Sequence, residues 1–280
     1  MMMTKIKQNI GFMQGRFSAV VNNRIQSFPW DSWRQEFAQA QKYGFQIMEW
    51  VIEQERLAEN PIMQAEGRKE IKKLMAEYRV MVPSVTMDTF IQEPFYKAQG
   101  DRLRQLLDEF EQTMKACREI GITRVVVPLV DLGTLETGPQ EALLRQGLDR
   151  VLPTLKDGNM IIVFESDYES VKLRDFIGSF DEKFFGVNYD IGNSASLGFD
   201  FKEEIAAYGK RIKNVHVKDR ALHGTTVPLG EGNADLPGVL TTLAASGYNG
   251  NYILQTARDA QGRHEMVLPR YRDLVADWLK

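Results

Sequence analysis

Four side chains, Glu165, Asp190, His216 and Gln255, stand at or beside the C-terminal ends of short apolar runs. The runs are MIIVFE ending at Glu165, FFGVNYD ending at Asp190, IKNVHVKD containing His216, and NYILQ ending at Gln255. Read as β-strands, they bring three oxygen donors and one imidazole from four separate strands. That donor set suits one hard or borderline divalent ion, Mn²⁺ or Mg²⁺ first, with Zn²⁺ and Co²⁺ also compatible. Solvent or substrate oxygens would complete an octahedron. A single carboxylate at a strand end ordinarily anchors a loop or caps a helix. The coincidence of four such residues on separate strands favours a metal.

The elements that must position them alternate regularly. Strand-like runs begin near Ile10, Gln46, Val80, Thr123, Met160, Phe185, Ile212 and Tyr252. Between them lie segments with helical periodicity, such as Ser32 to Gly44, Glu66 to Tyr78 and Arg102 to Gly121, two of which end on glycine. Alternating strands and amphipathic helices imply a parallel sheet. Eight such units predict an α/β chain folded as a single (β/α)8 TIM barrel, with residues 1–280 as one domain. The alternative, an open doubly wound sheet, lacks support, because no Gly-rich phosphate loop follows the first strand. In a closed barrel the chemistry sits where the C-terminal ends of the strands converge. Side chains two apart in a strand share a face, so His216 predicts Asn214 and Lys218 on its side, and Gln255 predicts Ile253 on its own.

Composition narrows the partners. With 280 residues, 43% of them hydrophobic, the chain can bury a large core. A formal charge of -3 gives no general attraction to nucleic acid or to an anionic membrane. The expected partner is therefore a small molecule. The one cysteine, Cys117, cannot form an intrachain disulfide, which suits a reducing compartment. No segment has the apolar character of a signal peptide or the roughly 18 apolar residues of a membrane span. The cytoplasm is the expected location, and exposed apolar residues leave room for a homodimer.

The segments GFMQGR (11–16), IMEW (47–50), FES (164–166), YDIGN (189–193), HVKD (216–219) and PLGEGNADL (228–236) run through nearly the whole chain. On these segments the sequence resembles the xylose isomerase-like barrels, a superfamily that includes sugar phosphate isomerases, ketose 3-epimerases and hydroxypyruvate isomerase. The resemblance implies a metal held by Glu, Asp, His and Glu, with the first and last Glu doubling as acid and base in the epimerases. Carried onto this chain, those positions are Glu165, Asp190, His216 and Gln255. The last is a departure. An amide oxygen can bind a metal but cannot take a proton, so an epimerisation that uses a base on each face loses one of them. Isomerisation through an enediol, with Glu165 alone as base, does not. Two carboxylates also leave the ion less neutralised than three would, which makes it a stronger Lewis acid.

Other residues extend the site. Lys218 is a catalytic candidate, placed to bind a substrate oxygen or move a proton, with Asp219 or Arg220 as its expected partner. Arg16 and Arg258, after the first and last strands, could hold a carboxylate or phosphate through their planar forks. Glu49, Asp88 and Arg220 join them as substrate-binding candidates. Trp30, Trp50, Phe90 and Phe95 lie in or beside predicted front loops, as a sugar-facing wall or as rim packing. The segment from Arg220 to Asp235 reads as a lid. His223 and His264 read as surface histidines, and Met13 as core filler.

The expected function is proton transfer next to a carbonyl in a small sugar, sugar phosphate or keto acid, by a metal-dependent isomerase or epimerase. A lyase or dehydratase using the same site is the nearest alternative. Two further classes fit the sequence less well. Endonuclease IV resembles the same barrels, but its three zinc ions need many histidines, and this chain has three in all. A noncatalytic sugar-binding barrel would explain Gln255 as a lost ligand.

Overall fold

The structure, a computed structural model, describes residues 9–280. Eight parallel strands close into a barrel: β1 (Ile10–Met13), β2 (Ile47–Ile52), β3 (Met81–Met87), β4 (Arg124–Leu129), β5 (Ile161–Ser166), β6 (Phe185–Asp190), β7 (Ile212–Val217) and β10 (Tyr252–Leu254). Around the ring their order is β1-β10-β7-β6-β5-β4-β3-β2. The short strands β8 (Asp219–Arg220) and β9 (Thr226–Val227) form a separate antiparallel hairpin between β7 and β10. The closed (β/α)8 barrel is thus the one expected, and each strand begins within one residue of its sequence estimate. No helix among the described residues is long and apolar enough to cross a membrane.

The strands are buried along nearly their whole length because helices cover the outside and side chains fill the inside. Most of the core lies between sheet and helices. A small second cluster, Met13, Val51 and Ile253, fills the inside, so Met13 is core as expected. Register puts Glu49 opposite Ser84 and Val51 opposite Thr86, and alternation turns all four to the barrel interior. Trp50 therefore points outward. It is fully buried within β2, where its indole donates to Asn60 Oδ1 at 3.1 Å, which corrects its placement in a loop.

Two buried carboxylates shape the long loop after β1. Glu36 accepts from the backbone amides of Gly15 and Phe17, and Glu53 from that of Phe28 and from Ser27 Oγ. These anchors hold Arg16 and Gln26 at the barrel mouth. The segment after β7 is anchored too, and it is not a free lid. Asp219, fully buried, accepts from the amides of Gly230 and Gly232 at 2.9 Å and of Ala234 at 3.1 Å. A Cβ on Gly232 would lie 2.1 Å from Asp219 Oδ1, so only glycine lets the loop wrap the carboxylate.

Candidate metal centre

The ends of β5, β6 and β7 are locked together by one short motif. Asp190 closes β6 and caps the helix Ile191–Leu197, its Oδ1 accepting from the Asn193 amide at 2.8 Å. A Cβ on Gly192 would meet Lys218 Cγ at 2.7 Å and its backbone carbonyl carbon at 3.0 Å, so glycine is what allows β7 to end this close. The turn presents Asn193 to the mouth. Its Nδ2 donates to Glu165 Oε1 at 2.6 Å, and its Oδ1 accepts from Lys218 Nζ at 3.1 Å and Arg220 Nη1 at 2.8 Å.

Glu165, Asp190 and His216 come together as the sequence implied. One ligand atom from each lies within 4.8 Å of the others, and all three residues are buried. His216 Nε2 is taken by Glu49 Oε1 at 2.7 Å, and Glu49 Oε2 accepts from Ser84 Oγ and Asn214 Nδ2. A carboxylate partner assigns the proton to Nε2 and leaves Nδ1 as the donor atom for a metal. Nδ1 lies 3.4 Å from Glu165 Oε2 and 4.0 Å from Asp190 Oδ2. Asn188 Nδ2 donates to Glu165 Oε2 at 2.9 Å, while its Oδ1 accepts from Asn214.

Gln255 follows β10 directly and lines the same cavity as Glu165. Its Nε2 donates to Gln26 Oε1 at 2.8 Å, and its Oε1 is buried with no hydrogen-bond partner. A buried carbonyl without a donor is costly. As the fourth oxygen of a cation site it would be satisfied, so the donor set fits a divalent ion.

Charge in the site is tightly balanced. Burial raises the Glu165 carboxyl, but His216 and Lys218 outweigh it and hold the group below its usual range. At Asp190 burial wins over Lys218, and the carboxyl is raised. Burial works to lower the His216 imidazole, yet Glu49 and Glu165 carry it up to about 10. The imidazolium thus neutralises carboxylates that a divalent cation would otherwise neutralise.

A cavity of about 160 Å³ opens beside these groups, lined in part by Arg16, Gln26, Asp88, Glu165, Lys218, Arg220 and Gln255. Six of those seven were picked out in the sequence. Asp190 and His216 stand behind the wall. Glu49 sits beneath His216, away from the cavity wall, and Arg258 spends its guanidinium on the carbonyls of Gly15 and Ser18. Lys218 Nζ pairs with Asp190 Oδ2 at 3.2 Å; its partner is neither Asp219 nor Arg220. None of Trp30, Trp50, Phe90 and Phe95 lines the cavity. Phe90 and Phe95 pack on Phe110, and Trp30 lies under Arg56. His264 is buried, which corrects its reading as a surface residue, and His223 is exposed as expected.

Arg16 is also buried. It donates only to the carbonyls of Thr256 and Ile25, and among the described residues no carboxylate pairs with it at ion-pair distance. Burial and the neighbouring Arg258 bring its pKa down to about 9. Sequence reading missed the roles of Asn188, Asn193 and Asn214, although Asn193 stands in the YDIGN motif and Asn214 shares the His216 face by parity. Gln26 was missed outright.

Comparison with known proteins agrees with this architecture. Residues 37–276 match a family model described as xylose isomerase-like TIM barrel. The L-ribulose-5-phosphate 3-epimerase UlaE of Salmonella heidelberg (strain SL476) is 24% identical over 255 residues, covering 88% of this chain and 89% of the relative. A solved D-psicose 3-epimerase, determined in the presence of D-fructose, superposes with a TM-score of 0.74 at 13% identity, covering 97% of this chain and 99% of that one. The IOLI protein with a binding zinc atom gives 0.72 at 14% identity, with 97% and 98% covered.

Proposed function

This chain belongs to the xylose isomerase-like TIM barrel family, and from that premise we propose that it is a metal-dependent isomerase or epimerase acting on a small sugar or sugar phosphate. The observation that carries the proposal is the buried Glu165, Asp190 and His216 cluster at the barrel mouth, completed by the partnerless Gln255 oxygen. The epimerase names borne by the relatives support the same reaction class. Glu165, Asp190, His216 Nδ1 and Gln255 Oε1 would hold the ion, Mn²⁺ or Mg²⁺ by the balance of oxygen donors. When bound, it would draw charge from the substrate carbonyl and stabilise the enediolate.

The protein's own residues do the rest. Glu165, kept ionised beside the Lys218 ammonium, removes the proton next to the carbonyl. Asn188 and Asn193, each donating to one of its oxygens, fix its orientation. Lys218 donates to the substrate oxygen that gains charge. Arg16, buried without a carboxylate partner, accepts the anionic end of a phosphorylated sugar, and Arg220 closes the opposite wall. Gln255 cannot exchange a proton, so Glu165 is the base among the metal-binding residues.

The test is solvent exchange. In D₂O with Mn²⁺, the wild-type chain should place deuterium next to the carbonyl of L-ribulose 5-phosphate or a related ketose. Glu165→Gln should lose this by about 10²-fold or more with its fold intact. Full exchange in that variant would remove Glu165 from the reaction.

A further inference from the structure

We infer that Asp88 is the second proton carrier of this site, replacing the carboxylate that Gln255 lacks, and that the reaction it permits is inversion at the carbon next to the carbonyl. The inference rests on the isomerase or epimerase reading above and narrows it to epimerisation.

The position of Asp88 is the first argument. It follows β3 directly and lines the same cavity as Glu165 and Gln255. Glu165, Asp190 and His216 come from the consecutive strands β5, β6 and β7, and Asp88 follows β3, which β4 alone separates from β5. A sugar seated in the cavity therefore meets both carboxylates, each from its own strand end, and inversion requires that they reach the two faces of one carbon.

The wiring is the second. Gln255 Nε2 donates to Gln26 Oε1 at 2.8 Å, and Gln26 Nε2 donates to the two Asp88 oxygens at 3.0 and 3.2 Å. The amide that stands at the expected carboxylate position is thus tied through one glutamine to the Asp88 carboxylate.

The third is what Asp88 does not do. It precedes the short helix Thr89–Gln92, but its side chain accepts no amide from that helix. Among the described residues no cation pairs with it at ion-pair distance, although it is only 8% exposed. A buried carboxylate with one amide donor and no counter-ion keeps acceptor capacity for something in the cavity. Burial pushes its carboxyl up to about 7 against the Gln26 hydrogen bond, with Glu53 and Glu165 adding to the rise and His216 opposing it. Arg16, its other charged neighbour, is itself crowded by Arg258. Both protonation states are then within reach near neutrality.

The step balances. Glu165 takes the carbon-bound proton, and the electron pair moves into the enediolate. Asp88, entering as the acid, returns a proton to the opposite face of the same carbon. Glu165 ends protonated and Asp88 ionised, and exchange with solvent resets both.

The experiment uses the full chain loaded with Mn²⁺ in D₂O, with L-ribulose 5-phosphate, L-ribulose, D-psicose and D-fructose as probes. Nuclear magnetic resonance follows deuterium incorporation and epimer formation separately. Wild type should show both with at least one probe. In Asp88→Asn deuterium uptake should continue, while the epimer falls by about 10²-fold or more. Asp88→Glu, which keeps the acid, should recover part of it, and a thermal melt checks that each variant folds. Epimer formation in Asp88→Asn at close to the wild-type rate overturns the role of Asp88 and leaves the enzyme reading standing. Wild-type exchange without inversion also overturns it. Neither signal with any probe overturns the underlying reading, and the inference with it.

Discussion

His216 Nε2 lies 2.7 Å from Glu49 Oε1, and neither side chain is exposed to solvent. The contact fixes the imidazole tautomer and turns Nδ1 toward Glu165 and Asp190. Glu49 therefore acts on the site through His216. Glu49→Gln should weaken Mn²⁺ binding by about 10- to 100-fold, as loss of a carboxylate behind a ligating histidine generally does. Titration calorimetry on the two proteins reads the difference. Equal affinities would mean that His216 needs no such support. Glu49→Ala goes further, leaving Ser84, Asn214 and His216 without their acceptor, and should cost about 3–5 kcal/mol of stability.

Asp88 makes stability depend on pH. Its carboxyl titrates at about 7 in the fold against an ordinary 3.8, so the native state holds a proton that the unfolded chain has released. Stability from this group is full below about pH 4 and is lost as pH rises toward about 7. Asp88→Asn removes that loss. In the metal-free chain it should match wild type near pH 4 and exceed it above pH 7, by at most about 4 kcal/mol. Denaturant melts across that range check the trend, and a constant difference with pH would refute it.

Most of the barrel was legible because alternation and apolar runs are local signals. The four candidate ligand positions follow from where such runs end, and the sharing of one face by His216 and Lys218 follows from parity. The same parity explains the misread partner of Lys218. Asp219 is one residue on, so it turns to the other side of the chain and gathers the amides of Gly230, Gly232 and Ala234. Trp50 was misplaced because β2 runs on to Ile52 beyond the polar Glu49. Gln26 left no signal at all. Its loop has no periodicity, and its course is set by Glu36, in the helix Trp33–Lys42, and by Glu53, just past β2.

Gly232→Ala should loosen the wall that carries Arg220. The added methyl would meet Asp219 Oδ1 at 2.1 Å, and Arg220 O is 2.6 Å away. Overpacking of this kind costs about 1–3 kcal/mol. A melting temperature unchanged from wild type would show that the loop accommodates a side chain.

Arg16 should separate phosphorylated from unphosphorylated ligands. Arg16→Gln is expected to weaken binding of L-ribulose 5-phosphate by about 10- to 100-fold, the scale of a hydrogen bond to a charged group, while hardly altering binding of L-ribulose. Equilibrium titration of both sugars decides it. Parallel losses for the two would point to a structural role for Arg16.

The central claim, one divalent ion held by Glu165, Asp190, His216 and Gln255, is tested most directly by elemental mass spectrometry of the full chain after dialysis against Mn²⁺. Asp190→Ala serves as the comparison, with circular dichroism to confirm its fold. The account predicts about one ion per wild-type chain and none in the variant. Wild-type protein that holds no metal after this treatment would contradict it.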